Sequence, residues 1–75
     1  MPVIEIIGRL KIQMYADDHY PPHFHVVTPD FEVLVAISGL TILQGKRYRR
    51  DITPALEWAS ANIERLEDEW ARLND

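Results

Sequence analysis

Three histidines lie within seven residues of one another, and their side chains are the ones in this sequence best suited to chemistry. His19, His23 and His25 follow the spacing H-x3-H-x-H, with Asp18 before them and Glu32 after them. Imidazole nitrogens and carboxylate oxygens bind zinc and other divalent metals, and two histidines at positions i and i+2 of a strand can share one ion. The spacing therefore allows a metal site, such as a zinc site, formed by the three histidines.

The same residues allow two other interpretations. A histidine can act as a general base while a neighbouring carboxylate orients its ring. The candidate catalytic residues in that case are His19, His23, His25, Asp18 and Tyr15. Alternatively, His19 and His23 form hydrogen bonds with loop carbonyl groups and hold the corner formed by Pro21 and Pro22 in shape. We favour this structural role over a metal site or a small hydrolase or nuclease, and whether the protein is an enzyme stays open.

A second cluster is basic and lies in the middle of the chain. It consists of Lys46, Arg47, Arg49 and Arg50, which are four of the eight basic residues, and it is interrupted by Tyr48. Basic residues interleaved with an aromatic residue are typical of contacts with a nucleic-acid backbone. The net charge of −4 opposes that function. We expect this segment to contact an acidic protein surface instead, with nucleic acid as the alternative.

The hydrophobic pattern predicts how the histidines are positioned. Residues 23–28 read as a strand, in which Phe24 and Val26 face the core. Because successive side chains of a strand point to opposite faces, His23 and His25 lie side by side on the other face. We expect this to be an open face that no helix covers. Residues 10–15 alternate in the same way, which puts Lys11, Gln13 and Tyr15 on the outer face.

The period of the pattern changes after residue 50. Apolar residues are then spaced 4, 3, 4, 3, 4 and 3 apart, at Ile52, Leu56, Ala59, Ile63, Leu66, Trp70 and Leu73. This spacing predicts one long amphipathic helix over residues 51–73, packed on one face of a sheet. The fold class is therefore α+β, with an antiparallel meander of four to five strands over residues 1–45, a basic connector over 46–50 and a C-terminal helix, all in a single domain over 1–75.

Composition limits the class of protein. Apolar residues make up 47% and charged residues 27% of the 75 residues, as in a folded domain, and there are no cysteines. No apolar stretch approaches the roughly 20 residues of a membrane span, and no secretory signal is visible, so we expect a cytoplasmic protein. A domain this small is marginally stable by itself. A partner protein or a homo-oligomer is therefore expected.

These features together resemble a small bacterial family catalogued as domain of unknown function 4160. The matching residues are Met14-Tyr15, Asp18-His19-x-Pro21-Pro22-His23-Phe24-His25, Glu32 and Glu57-Trp58. Members of that family are often encoded beside another small protein, in an arrangement similar to toxin–antitoxin pairs. The resemblance implies a protein-interaction module that acts with such a partner, and it brings no catalytic residues.

Overall fold

The structure is a computed structural model that describes residues 3–16 and 19–74. Its sheet has five antiparallel strands, each hydrogen-bonded to the next along the chain. The strands are β1 Val3–Ile7, β2 Leu10–Gln13, β3 His23–Val27, β4 Glu32–Ala36 and β5 Ile42–Gln44. Two helices follow, α1 Thr53–Ser60 and α2 Ile63–Asn74. The predicted α+β class, with an antiparallel sheet and a C-terminal helix, is confirmed.

Buried apolar residues lie opposite one another in the central strands. Ile12 of β2, Val26 of β3 and Val33 of β4 lie opposite one another and are fully buried. The neighbouring register places Gln13 opposite His25, whose side chain must then lie on the other face. The alternation predicted for the histidine strand is therefore present. It positions both histidines on the face that does not carry the main core.

The predicted continuous helix is wrong in one respect, because the helical region is divided at Ala61 and Asn62. The backbone N–H of Ala61 donates to the carbonyl oxygen of Trp58 at 3.1 Å, and that of Asn62 donates to Ala59 at 3.0 Å. Both are 3₁₀-type hydrogen bonds between residues three apart, and they tighten the last turn of α1. The Asn62 side chain also donates to the Trp58 carbonyl oxygen at 2.8 Å. Asparagine side chains compete with helical bonds in this way, so α1 ends here.

The apolar stripe continues from α1 into α2. Ile52, Ala59, Leu66 and Trp70 are buried against the sheet, as their spacing predicts. Ala55, which lies outside the predicted stripe, is also fully buried. Both helices therefore contribute to one core with the strands. In the described part of the chain, no helix is long and apolar enough to cross a membrane.

A tight turn connects the sheet to the helices. Gly45 has φ of 87°, a left-handed conformation that glycine adopts without strain. A side chain there would meet the backbone carbonyl oxygen of Glu32 and the Cγ2 of Val33, each at 3.1 Å. The basic segment then forms a 3₁₀ turn over Lys46–Tyr48. This turn presents the arginines beside the first turn of α1.

Candidate functional site

The two histidines of β3 are buried. His23 is 4% exposed and His25 is 8% exposed, so the expectation of an open histidine face is wrong. Gln13, which was also expected to face outward, is 7% exposed. Alternation along a strand gives the side of the sheet on which a residue lies, whereas burial depends on what the rest of the chain places there. Here the Trp70 ring of α2 lies 5.3 Å from the His23 ring between centroids.

Each histidine ring is oriented by a bond at Nδ1. His23 Nδ1 lies 2.8 Å from the carbonyl oxygen of Pro21. A carbonyl oxygen only accepts, so His23 donates through Nδ1. His25 Nδ1 lies 2.6 Å from Oε2 of Glu32, which is a charge-assisted contact when that carboxylate is ionised. Both rings therefore carry a proton on Nδ1, and the neutral tautomer of each has its lone pair at Nε2.

Aromatic side chains pack around this pair. The His23 and His25 rings lie 5.1 Å apart between centroids, and Tyr15 meets His25 edge-on at 4.5 Å. Tyr20 meets Trp70 edge-on at 6.0 Å. We refer to His23, His25, Tyr15, Tyr20 and Trp70 as the aromatic corner. Its contacts join the proline loop, β3 and α2.

The other members of the predicted histidine site are placed differently. His19 is exposed on the loop, whereas His23 and His25 are buried in the sheet. Asp17 and Asp18 lie outside the described residues, so the catalytic role considered for Asp18 stays a prediction. Within residues 3–16 and 19–74, no group of three histidine, cysteine or acidic residues is arranged to hold a metal ion. Among the described residues, the Glu32 carboxylate orients His25 through its Nδ1.

The basic segment forms the second candidate site. An open cleft of about 610 Å³ is lined by Arg47, Arg49, Arg50, Thr53, Leu56, Glu57 and Ser60. We call it the arginine cleft. It brings together three of the four predicted basic residues, and Lys46 does not line it. The Thr53 hydroxyl donates to the carbonyl oxygen of Arg50 at 3.0 Å, which ties the connector to the first turn of α1.

The three arginines lack carboxylate partners among the described residues. Arg9 and Arg72 pair with Asp30 and Glu69 respectively, but no ion pair involves Arg47, Arg49 or Arg50. Arg47 instead lies over the Tyr48 ring, 4.7 Å from its centroid, and donates to the Tyr48 hydroxyl at 2.5 Å. The Tyr48 ring stacks on Phe31 at 4.0 Å and 3°. This column fixes one guanidinium group at the cleft and leaves its charge uncompensated.

Sequence reasoning missed the residues of α1 that complete the cleft. Glu57 and Ser60 are one helical turn apart, and i, i+3 neighbours share a helix face. This spacing in the sequence could have indicated that Glu57 and Ser60 line the same surface. Trp70 was predicted only as a core residue, because nothing local relates it to a histidine 47 positions earlier. The contact between them depends on how α2 crosses the proline loop.

Comparison with known proteins gives one result. A search of curated proteins and a search of solved structures each find no significant match. A family model described as a domain of unknown function, DUF4160, matches residues 10–71. This range includes the histidine strand, the arginine cleft and most of α2, and it confirms the resemblance found in the sequence. The chain belongs to the DUF4160 family.

Proposed function

We propose that this protein is a protein-interaction module of the cytoplasm, which binds an acidic surface of a partner protein in the arginine cleft. The observation that supports the proposal is the set of three arginines that form no ion pair with the described residues, in a chain that has an excess of acidic residues. Like charges held together in one cleft repel one another. Carboxylates from a partner relieve that repulsion and add bidentate hydrogen bonds.

The cleft is partly organised before binding. Arg47 is held on the Tyr48 ring, and the Thr53 bond fixes the backbone beside Arg50. A side chain that is already ordered loses less conformational entropy when it binds. An exposed ion pair contributes about 0.2–1 kcal/mol. Three such pairs contribute only a few kcal/mol at most to the binding free energy. We therefore expect the partner to make apolar contacts with the protein as well.

The charges around the arginine cleft favour a protein over a nucleic acid as its binding partner. Glu57 lines the cleft together with the arginines, and a carboxylate there repels a phosphate backbone. Glu64, Glu67 and Asp68 are exposed on α2, which extends the negative field of a chain with net charge −4. Nucleic acid is therefore the second candidate. Leu56 gives the cleft an apolar wall, which a protein surface can cover.

The first partner to test is a small protein encoded beside this one, because members of the DUF4160 family are often encoded beside another small protein. Gene arrangements of this kind are similar to toxin–antitoxin pairs, in which two small proteins form a complex. A second copy of this chain is the other protein candidate, because α2 carries an acidic surface of its own. We predict that this chain forms a complex with the neighbouring protein. If it associates with itself instead, the second copy is the partner.

The test measures the affinity of the two purified proteins by isothermal titration calorimetry. We expect binding, and the double variant Arg49→Gln/Arg50→Gln should weaken it by about tenfold, since two pairs of about 0.7 kcal/mol each amount to one decade. The matched control is Arg9→Gln/Arg72→Gln, which removes the same charge away from the cleft. It should change the affinity by less than about twofold.

Three results would contradict the proposal. The first is no heat of binding with the neighbouring protein. The second is an equal loss of affinity in the control variant, which would indicate a general effect of charge. The third is tight, salt-dependent binding of labelled RNA or duplex DNA that disappears in the cleft variant, which would assign the cleft to nucleic acid. Analytical ultracentrifugation of the chain alone detects self-association.

A further inference from the structure

A second cavity lies at the aromatic corner and is separate from the arginine cleft. It encloses about 140 Å³ and is lined by Pro21, Pro22, Ile37, Ser38, Glu67 and Trp70. We call it the proline pocket. None of its residues lines the arginine cleft. A cavity of about 150 Å³ holds a benzene-sized group, so this pocket has room for one planar or slender side-chain group.

The walls of the pocket are rigid. The two proline rings have fixed φ angles, and Ile37 donates its backbone N–H to the carbonyl oxygen of Pro22 at 3.0 Å. Trp70 is 5% exposed and is held by its ring contact with His23. Rigid walls allow binding without ordering the site first. The pocket is therefore formed in the free protein.

An exposed aromatic ring and a carboxylate lie beside the proline pocket. Tyr20 is 79% exposed and contacts the Trp70 ring, although an aromatic side chain is usually covered. Glu67 is exposed and forms no ion pair with the described residues. The pocket thus combines apolar walls, the Trp70 ring and one negative charge, and the Tyr20 ring lies beside it against Trp70. The side chain that complements all three has an apolar stem and a cationic end.

We propose that the proline pocket binds an arginine side chain of a partner polypeptide. The methylene stem of arginine packs on the proline and isoleucine walls, and its guanidinium group reaches the Glu67 carboxylate and the Tyr20 ring. Arginine fits better than lysine, because a planar guanidinium group stacks on rings and bonds a carboxylate through two N–H groups. The domain therefore presents two binding sites of opposite charge preference, and this second site does not depend on the function of the arginine cleft.

The test uses three short peptides and the backbone and indole N–H signals of the protein in ¹H–¹⁵N NMR spectra. The peptides are acetyl-Gly-Arg-Gly-amide and the same peptide with citrulline or leucine in the middle. Citrulline keeps the shape of arginine but has no charge. We expect millimolar binding of the arginine peptide, with shifts at Ile37, Ser38 and the Trp70 indole but not at the Trp58 indole. Citrulline should bind about fivefold more weakly.

A pair of variants on one helix gives the control. Glu67→Gln should weaken binding of the arginine peptide by about fivefold, whereas Glu64→Gln, one turn earlier on α2, should change it by less than about twofold. Both changes are conservative and exposed, so both proteins should fold. The inference is overturned by an absence of shifts, by equal binding of the three peptides, or by equal effects of the two variants. Equal peptide binding would make the pocket an apolar anchor site.

Discussion

The contact between His25 and Glu32 gives the sharpest test of the structural role that we assign to the histidines. If the ring serves to join β3 to β4, then removing either partner should reduce the free energy of unfolding through their shared bond. A double-mutant cycle with His25→Ala, Glu32→Ala and the double variant isolates that shared term. The exposed pair of Arg9 and Asp30 serves as the control cycle, because it joins two turns through a single bond.

The expected magnitudes follow from distance and exposure. His25 Nδ1 and Glu32 Oε2 are 2.6 Å apart, and their side chains are 10% and 46% exposed. A hydrogen bond to a charged group contributes about 1.5–3 kcal/mol when shielded, and the half-exposed carboxylate reduces this to about 1–1.5 kcal/mol. The Arg9 and Asp30 side chains are each 72% exposed at 2.9 Å. Their coupling should be below about 0.5 kcal/mol.

Urea unfolding, followed by tryptophan fluorescence, measures the four proteins of each cycle. A domain of this length has a free energy of unfolding of roughly 4–11 kcal/mol, so the single variants should remain folded. The reasoning is refuted if the His25–Glu32 coupling is no larger than that of the Arg9–Asp30 pair. The bond would then add nothing to stability. The histidine would need a different explanation, such as the catalytic role considered for it.

Three further changes test the fold around both sites. Phe24→Ala removes a fully buried ring from the core and should cost about 3–5 kcal/mol of unfolding free energy, measured by urea denaturation. Gly45→Ala should cost more than Gly8→Ala, by about 1 kcal/mol, because both have positive φ but only the first places a Cβ 3.1 Å from the Glu32 carbonyl oxygen. Arg65→Gln removes a 2.9 Å bond to a backbone carbonyl oxygen of β1, so this sheet edge should pair with other chains, which light scattering detects.

Each of these has an outcome that contradicts it. A loss below about 1 kcal/mol for the Phe24 variant would mean that the ring is not in a packed core. Equal losses in the two glycine variants would mean that the close approach at Gly45 is relieved at no cost. A monomeric Arg65 variant that shows no aggregation at high concentration would mean that the edge needs no cover from α2.

The strands could be predicted from the sequence because their signal is local. The strand predicted over residues 23–28 is β3, which begins at His23 in the structure. Alternation along a strand requires only that one face be buried, so Phe24 and Val26 were assigned to the core correctly. The division between α1 and α2 could not be read in the same way. An uninterrupted apolar stripe conceals a break that depends on the Asn62 side chain reaching a backbone carbonyl oxygen.

The arginine cleft was predicted in part. Four basic residues in five positions were visible in the sequence, and three of them line the cleft. That these arginines form no ion pair with the described residues was not visible, because it depends on where the carboxylates lie in space. The proline pocket gave no signal in the sequence. Its walls come from two loops and from α2, which are separated by tens of residues.

The sequence by itself determined the α+β class, the strand that carries His23 and His25, and the side of the sheet on which they lie, because backbone periodicity sets all three. Tertiary structure decided that the two rings are buried rather than presented on an open face. That outcome required Trp70, from the last helix, to pack against His23. It also required Glu32, from the next strand, to accept a hydrogen bond from the Nδ1–H of His25. Contacts between distant residues depend on the path of the whole chain, and no local pattern encodes them.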